Sequence, residues 1–161
     1  MVRLVSMSEE DYRQFLAWAI ADYAREQVKA GTWQSEEAME LGKTAFETLL
    51  PDGLSTPNQF LYVIEDADSN PVGYIWFGVR QEGESRFAAL YELVVFEEYR
   101  RRGYASQALL ALEDQAREQG VKQIVLHVFG HNEGARALYR KSGYVERNVT
   151  MVKGINEPIH N

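Results

Sequence analysis

The chain has 161 residues, no cysteine and a formal charge of −7, with hydrophobic residues at 45% and charged residues at 25%. That length suits one domain with its own core, and the composition is globular rather than disordered or stapled by disulfides. No apolar run approaches the roughly 20 residues of a membrane-spanning helix, Met1 to Val5 lacks the features of a secretory leader, and the acidic balance argues against a duplex-binding protein. The expectation is a cytoplasmic protein without membrane or nucleic-acid partner.

Taken in chain order, Val2 to Val5 predicts a short opening strand. Ser8 caps a helix whose first turn, Glu9, Glu10 and Asp11, suits the positive end of the helix dipole. Tyr12, Phe15, Leu16, Ala19 and Tyr23 follow at helical spacing until Gly31. A second helix is expected from the cap Ser35 through Leu41, Ala45 and Leu49, ending before Pro51. Three strands come next: Phe60 to Ile64, Val72 to Val79, and Phe87 to Val95, the last two joined by a hairpin at 81–85. A basic bend, Arg100-Arg101-Arg102-Gly103, leads into a helix with Ala105, Ala108, Leu109, Leu112 and Ala116 on one face and Gly120 at its end. Ile124 to Phe129 reads as a buried strand, Asn132 opens a short helix that ends at Gly143, and Tyr144 to Val152 supplies one or two closing strands. The resulting order is βααβββαβαβ: a single α+β domain over residues 1–153, with a mostly antiparallel mixed sheet flanked by helices and a short tail at 154–161.

The bend stands out chemically. Where a strand leads through a glycine-containing loop into a helix, the first helical N–H groups lack internal partners and favour an anion. Gly103 allows close backbone approach, and three arginines add charge. The spacing fits neither a Walker loop nor GxGxxG, so nucleotide hydrolysis and hydride transfer lose their main support. A solvated basic turn is the plain alternative.

The segment Arg100-Arg101-Arg102-Gly103-Tyr104-Ala105 resembles the Arg/Gln-x-x-Gly-x-Gly/Ala signature of the GCN5-related N-acetyltransferase (GNAT) family. About thirty residues on, Asn132 to Tyr144 resembles the family's Asn-x-x-Ala-x-x-Leu-Tyr-x-x-x-Gly-Phe/Tyr signature. The specific resemblance spans 87–153, with Ala105 for the commoner glycine and Glu97 where many members have proline. It implies acetyl transfer from acetyl-coenzyme A to an amine, without a metal. The backbone of Arg101 to Ser106, through Arg102, Gly103, Tyr104 and Ala105, would hold the pyrophosphate beside Arg100, while Leu93, Val94 and Val95 would pair with the pantetheine arm as an added strand would. The same three side chains can also be ordinary core.

Acylation of an amine needs a neutral nitrogen, donors for the oxyanion and a proton for the departing thiolate. By resemblance Tyr139 is the acid, and a phenol titrating near roughly 10 can protonate a thiolate of pKa about 8–9; packing is its plain role. Glu92 alternates with Leu90 and Val94 on a strand that reads as buried, where burial would raise its pKa, so it is the candidate base, directly or through water. A carboxylate bonded to a neighbouring tyrosine or arginine is the alternative. Asn132 would position cofactor or simply cap its helix. His127, His131 and His160 form no metal-binding pattern, and His127 reads as a core residue on its strand.

Residues 1–72 hold five Lys/Arg against thirteen Asp/Glu, whereas 73–161 hold twelve against eleven. By resemblance the first two helices wall the acceptor, so a cationic small molecule, a lysine or a peptide N-terminus is the expected partner. Family habit also allows a homodimer. A non-catalytic acetyl-coenzyme A sensor and an unrelated anion-binding domain are the competing readings.

Overall fold

Ser8 and Asp11 open the first helix by a reciprocal exchange: the Asp11 amide donates to Ser8 Oγ at 3.1 Å, and the Ser8 amide to the Asp11 carboxylate at 2.9 Å. Two orphan donors are thereby satisfied. In the computed structural model, which describes residues 1–156, helix α1 runs Glu9–Lys29 and α2 runs Ala38–Leu49. The expected cap at Ser35 is two residues early, because 35–37 form a turn and the helix begins at Ala38. The chain divides into two units, one of residues 1–16 and 50–127, the other of 17–49 with the chain from 128 on.

The first unit holds a five-stranded mixed sheet, β1 (Arg3–Ser6), β2 (Gln59–Glu65), β3 (Pro71–Glu82), β4 (Ser85–Val95) and β5 (Ile124–Leu126), in sequential order. The first three pairings are antiparallel. β4 and β5 are parallel, joined by helix α3 (Tyr104–Glu118). β3 is buried without interruption from Val72 to Val79's neighbour Gly78, as a central strand covered on both faces must be. One face presents Tyr74 and Trp76 to Phe15 of α1, with ring centroids 5.4 and 6.2 Å apart in edge-on geometry. Ile75 and Phe77 alternate to the opposite face, and they are fully buried too, as are Ile64 and, on α3, Leu109 and Leu112. Each such burial contributes roughly 1.5–3 kcal/mol.

In the second unit, Gly42 lets α2 approach α1 closely: a Cβ there would lie 3.3 Å from the Ile20 carbonyl oxygen. Tyr23 packs edge-on against Trp33 and Phe46. Helix α4 (Glu133–Lys141) begins at Asn132. Its Arg136 and Arg140 both pair with Glu146.

Two expected strands differ. β5 stops at Leu126 rather than Phe129, because its partner β4 bulges after Leu90 and the ladder cannot continue. Residues 144–154 carry no helix or strand. Their strand-like alternation finds no ladder among the described residues, and Val145, Val149, Met151 and Val152 stand 88, 70, 90 and 69% exposed. A β-branched run is a strand only where a neighbour supplies its hydrogen bonds. His160 lies outside the described residues.

Candidate active site

The bulge in β4 governs the geometry of the first unit's site. Trp76 of β3 faces Glu92 while Phe77 faces Leu90, so Tyr91 is the additional residue. Its ring packs on Trp76 at 4.6 Å. Since side chains alternate along a strand, the extra residue puts Leu90 and Glu92 on opposite faces of the sheet. Glu92 and Val94 share the face of Trp76 and Tyr74, and Leu93 shares that of Ile75. This corrects the expectation that Leu90, Glu92 and Val94 form one stripe. Glu92 is half-buried and engaged within the protein.

Beyond the bulge, β4 from Tyr91 to Val95 keeps β3 on one side, whereas β5 reaches only Ala88, Ala89 and Leu90 on the other. Among the described residues no strand pairs with the second edge of Leu93, Val94 and Val95, although the Val95 carbonyl accepts from an arginine of the loop that follows. An open edge offers alternating donors and acceptors to an extended amide-bearing chain.

That edge runs directly into the basic loop. A 3-10 turn at Glu97–Tyr99 reverses the chain, and two residues then adopt left-handed backbone conformations, Arg101 at φ 65 and Gly103 at φ 81. For arginine this conformation is uncommon, and such strain clusters at ligand sites. Gly103 caps α3 without a side chain, and the first intrahelical bond is Gln107 N–H to the Gly103 carbonyl at 3.1 Å. The amides of Tyr104, Ala105 and Ser106 accordingly point out of the helix end, with no acceptor among the described residues. A Cβ on Gly103 would meet only the Gln107 side-chain nitrogen, at 3.8 Å, so the concavity stands open.

The three arginines are not equivalent. Arg100 donates through Nε to the Val95 carbonyl at 2.9 Å and ties the loop to the end of β4. Arg102 lies over the Tyr99 ring, 5.5 Å from its centroid. It also helps hold the Asp66 carboxyl below the usual carboxylate range, an effect led by the Asn70 backbone amide. Arg101 is exposed and makes no hydrogen bond or ion pair among the described residues. Gln107, which carries no motif signal, has its Oε1 buried without a partner among the described residues. Only the loop's three-dimensional course reveals it.

In the second unit, Asn132 Oδ1 accepts from the Ala135 amide at 3.1 Å, which makes it the N-cap of α4. Tyr139 lies on the same helix, half-buried, its ring 5.6 Å from that of Tyr144. Tyr144 N–H bonds back to the Tyr139 carbonyl at 2.9 Å, closing the helix end. His131 precedes the cap and contacts Glu26 of α1, a pairing no sequence pattern signals across 105 positions. Among the described residues no group of histidines and carboxylates is arranged to hold a metal. No helix there is long and apolar enough to cross a membrane.

Residues 27–144 match the model of the Acetyltransferase (GNAT) family. An uncharacterised N-acetyltransferase of Bacillus subtilis, YycN, is 41% identical over 152 residues, spanning 94% of this chain and 97% of the relative. A second from that organism, YdgE, is 33% identical over 93% of this chain and 96% of its own length. The crystal structure of YycN superposes with a TM-score of 0.92 over 98% of this chain and 100% of its own, at 40% identity. With the loop, the open strand edge and the capped tyrosine helix all borne by matching segments, the chain belongs to the GNAT acetyltransferase family.

Proposed function

We propose that the protein transfers the acetyl group of acetyl-coenzyme A to a primary amine, by direct attack in a ternary complex. The observation that carries this reading is the edge of Leu93 to Val95, which no other strand pairs among the described residues, leading through the Glu97–Tyr99 turn into the amide-lined loop at Arg101 to Ser106. An extended pantetheine amide chain followed by a pyrophosphate has that order of chemistry: strand-like hydrogen bonds first, then a double anion. Arg100 holds the two halves in register through Val95.

In this reading the amine nitrogen attacks the thioester carbonyl carbon, the carbon–sulfur bond breaks, and sulfur leaves with the electron pair. Tyr139 gives the thiolate its proton. Glu92, on the sheet face of Trp76, takes a proton from the nitrogen as the amide forms. Asn132 fixes the start of the helix that carries Tyr139.

The acceptor is proposed to be cationic. Several acids of the N-terminal half are spent on ion pairs, Glu10 with Arg13, Asp22 with Arg25 and Glu65 with Arg3. Glu36, Glu37, Glu40 and Glu47 remain exposed at and before α2, without ion pairs among the described residues. Such a field draws ammonium groups. Cationic amines should therefore outperform anionic ones, with an apparent KM that rises as salt screens the field. Thiol release measured over an amine panel, with a no-acceptor control, tests the whole reading. Release only with amines supports it; binding of acetyl-coenzyme A without turnover would make the protein a sensor; no binding would refute both.

A further inference from the structure

One polar side chain beside the basic loop has no part in the chemistry assigned so far. Gln107 stands one turn into α3, its backbone amide donating to the Gly103 carbonyl at 3.1 Å. Side chains on a helix lean toward its N-terminus, and this lean carries the Gln107 carboxamide back to the loop. There Nε2 stands 3.8 Å from the position of the Cβ that Gly103 lacks, and no other side chain comes within 4 Å of that position. The other end of the carboxamide points inward. Oε1 is shut off from solvent and accepts no hydrogen bond among the described residues. Nε2 likewise donates to no group among them.

That orientation runs against the side chain's own interest. Buried polar atoms are almost always paired, and an orphaned acceptor lowers stability. A half-buried glutamine with no task would turn its oxygen to water, or to the amides at its own helix end that lack acceptors. Gln107 does the reverse. It hides the acceptor and sets its donor at the helix end where the amides of Tyr104, Ala105 and Ser106 also have no acceptor among the described residues. Donors gathered at one helix end carry like partial charges, and an anion with several oxygens neutralises them together. The distances allow it. An anionic oxygen occupying the space of the missing Cβ would need to come about 1 Å nearer to Nε2 to reach the usual N–H···O length of about 2.9 Å. Arg100 and Arg102 do not compete for this position, the one being tied to the Val95 carbonyl and the other lying over the Tyr99 ring.

We propose that Gln107 is a cofactor-binding residue whose Nε2 donates to a pyrophosphate oxygen of acetyl-coenzyme A seated over Gly103. The proposal rests on the acetyltransferase reading and adds to it a side chain that lies outside both signatures. The buried, unpaired Oε1 is the stability given up to keep the donor forward, as binding sites commonly require.

The test is calorimetric titration of the full chain with coenzyme A and with 3′-dephospho-coenzyme A, which share the pyrophosphate and differ in the ribose phosphate. Gln107→Met, similar in length but without donor or acceptor, should weaken both ligands alike, on the order of 10- to 100-fold in Kd. Its ligand-free Tm should stay level or rise, because the buried orphan is gone. Gln107→Lys, which keeps a donor, should bind both ligands nearly as wild type does. A methionine variant that binds like wild type, a loss confined to coenzyme A, a ligand-free Tm that falls, or a lysine variant as weak as the methionine one would each overturn the role of Gln107 and leave acetyl transfer standing. A wild type that binds neither ligand would overturn the acetyltransferase reading with it.

Discussion

Gly103 and Gly31 form a matched pair for asking whether the basic loop binds the cofactor. Both have left-handed backbones, φ 81 and φ 80, and neither would bring an added Cβ into a clash. Gly103→Val and Gly31→Val should therefore pay a similar conformational cost, ~1–2 kcal/mol for any Cβ and toward the upper end for a β-branched one. For a chain of this size that lowers Tm by about 2–8 °C in each variant, at 2–4 °C per kcal/mol. The ligand separates them. At a hundred times Kd, acetyl-coenzyme A stabilises the folded protein by about 2.7 kcal/mol, a rise of roughly 5–11 °C. Gly31→Val should keep that rise, because Gly31 is no part of the arginine loop and an added Cβ there meets nothing within 4 Å. Gly103→Val should lose most of it, since a branched side chain displaces the αL backbone that aims the amides of Tyr104, Ala105 and Ser106. Thermal unfolding with and without ligand reads both effects. A Gly103→Val protein that unfolds like Gly31→Val and still gains the full rise would refute the loop as the phosphate site.

Tyr139→Phe should keep acetyl-coenzyme A affinity while kcat falls on the order of 10²–10⁴-fold, because only the proton donor is lost; steady-state kinetics with a near-wild-type kcat would reduce Tyr139 to packing. Gly73→Ala should destabilise the protein by about 1–3 kcal/mol or more in denaturant titration. Its Cβ would stand 2.0 Å from the Val94 carbonyl oxygen, backbone that has no rotamer with which to escape. Asp66 has its carboxyl held low by the Asn70 amide, with the Asn70 side chain, the Asp68 amide and Arg102 assisting. Its contribution is fully present above the unfolded carboxyl range near 4 and disappears as pH falls through the lower folded value. The Tm difference between wild type and Asp66→Asn should accordingly be present at pH 7 and shrink below about pH 4; a difference independent of pH would refute it.

Much of this architecture is legible in the sequence because it is written locally. Ser8 with Asp11, Gly103 before Tyr104, and Asn132 with Ala135 are caps whose partners lie within three residues, so residue type and spacing suffice. Helix α3 was legible for the same reason, its buried Ala108, Leu109, Leu112 and Ala116 recurring at helical spacing. The closing strands were not. Val145, Val149 and Met151 have the composition of a strand, but a ladder depends on a neighbour that composition does not name.

The bulge shows why local legibility stops short of the site. Nothing in Leu90-Tyr91-Glu92 marks an inserted residue; the register shift exists only relative to Trp76 and Phe77, fourteen or so positions earlier. Yet this one residue does three things at once. It moves Glu92 to the face opposite Leu90, it ends the β4–β5 ladder at Leu126, and it thereby leaves Leu93 to Val95 open where the chain enters the arginine loop. An edge covered by a neighbouring strand would offer an extended ligand nothing to pair with. The edge that carries the functional reading is thus a product of irregularity in the sheet, and irregularity of this kind is a tertiary property that periodicity cannot report.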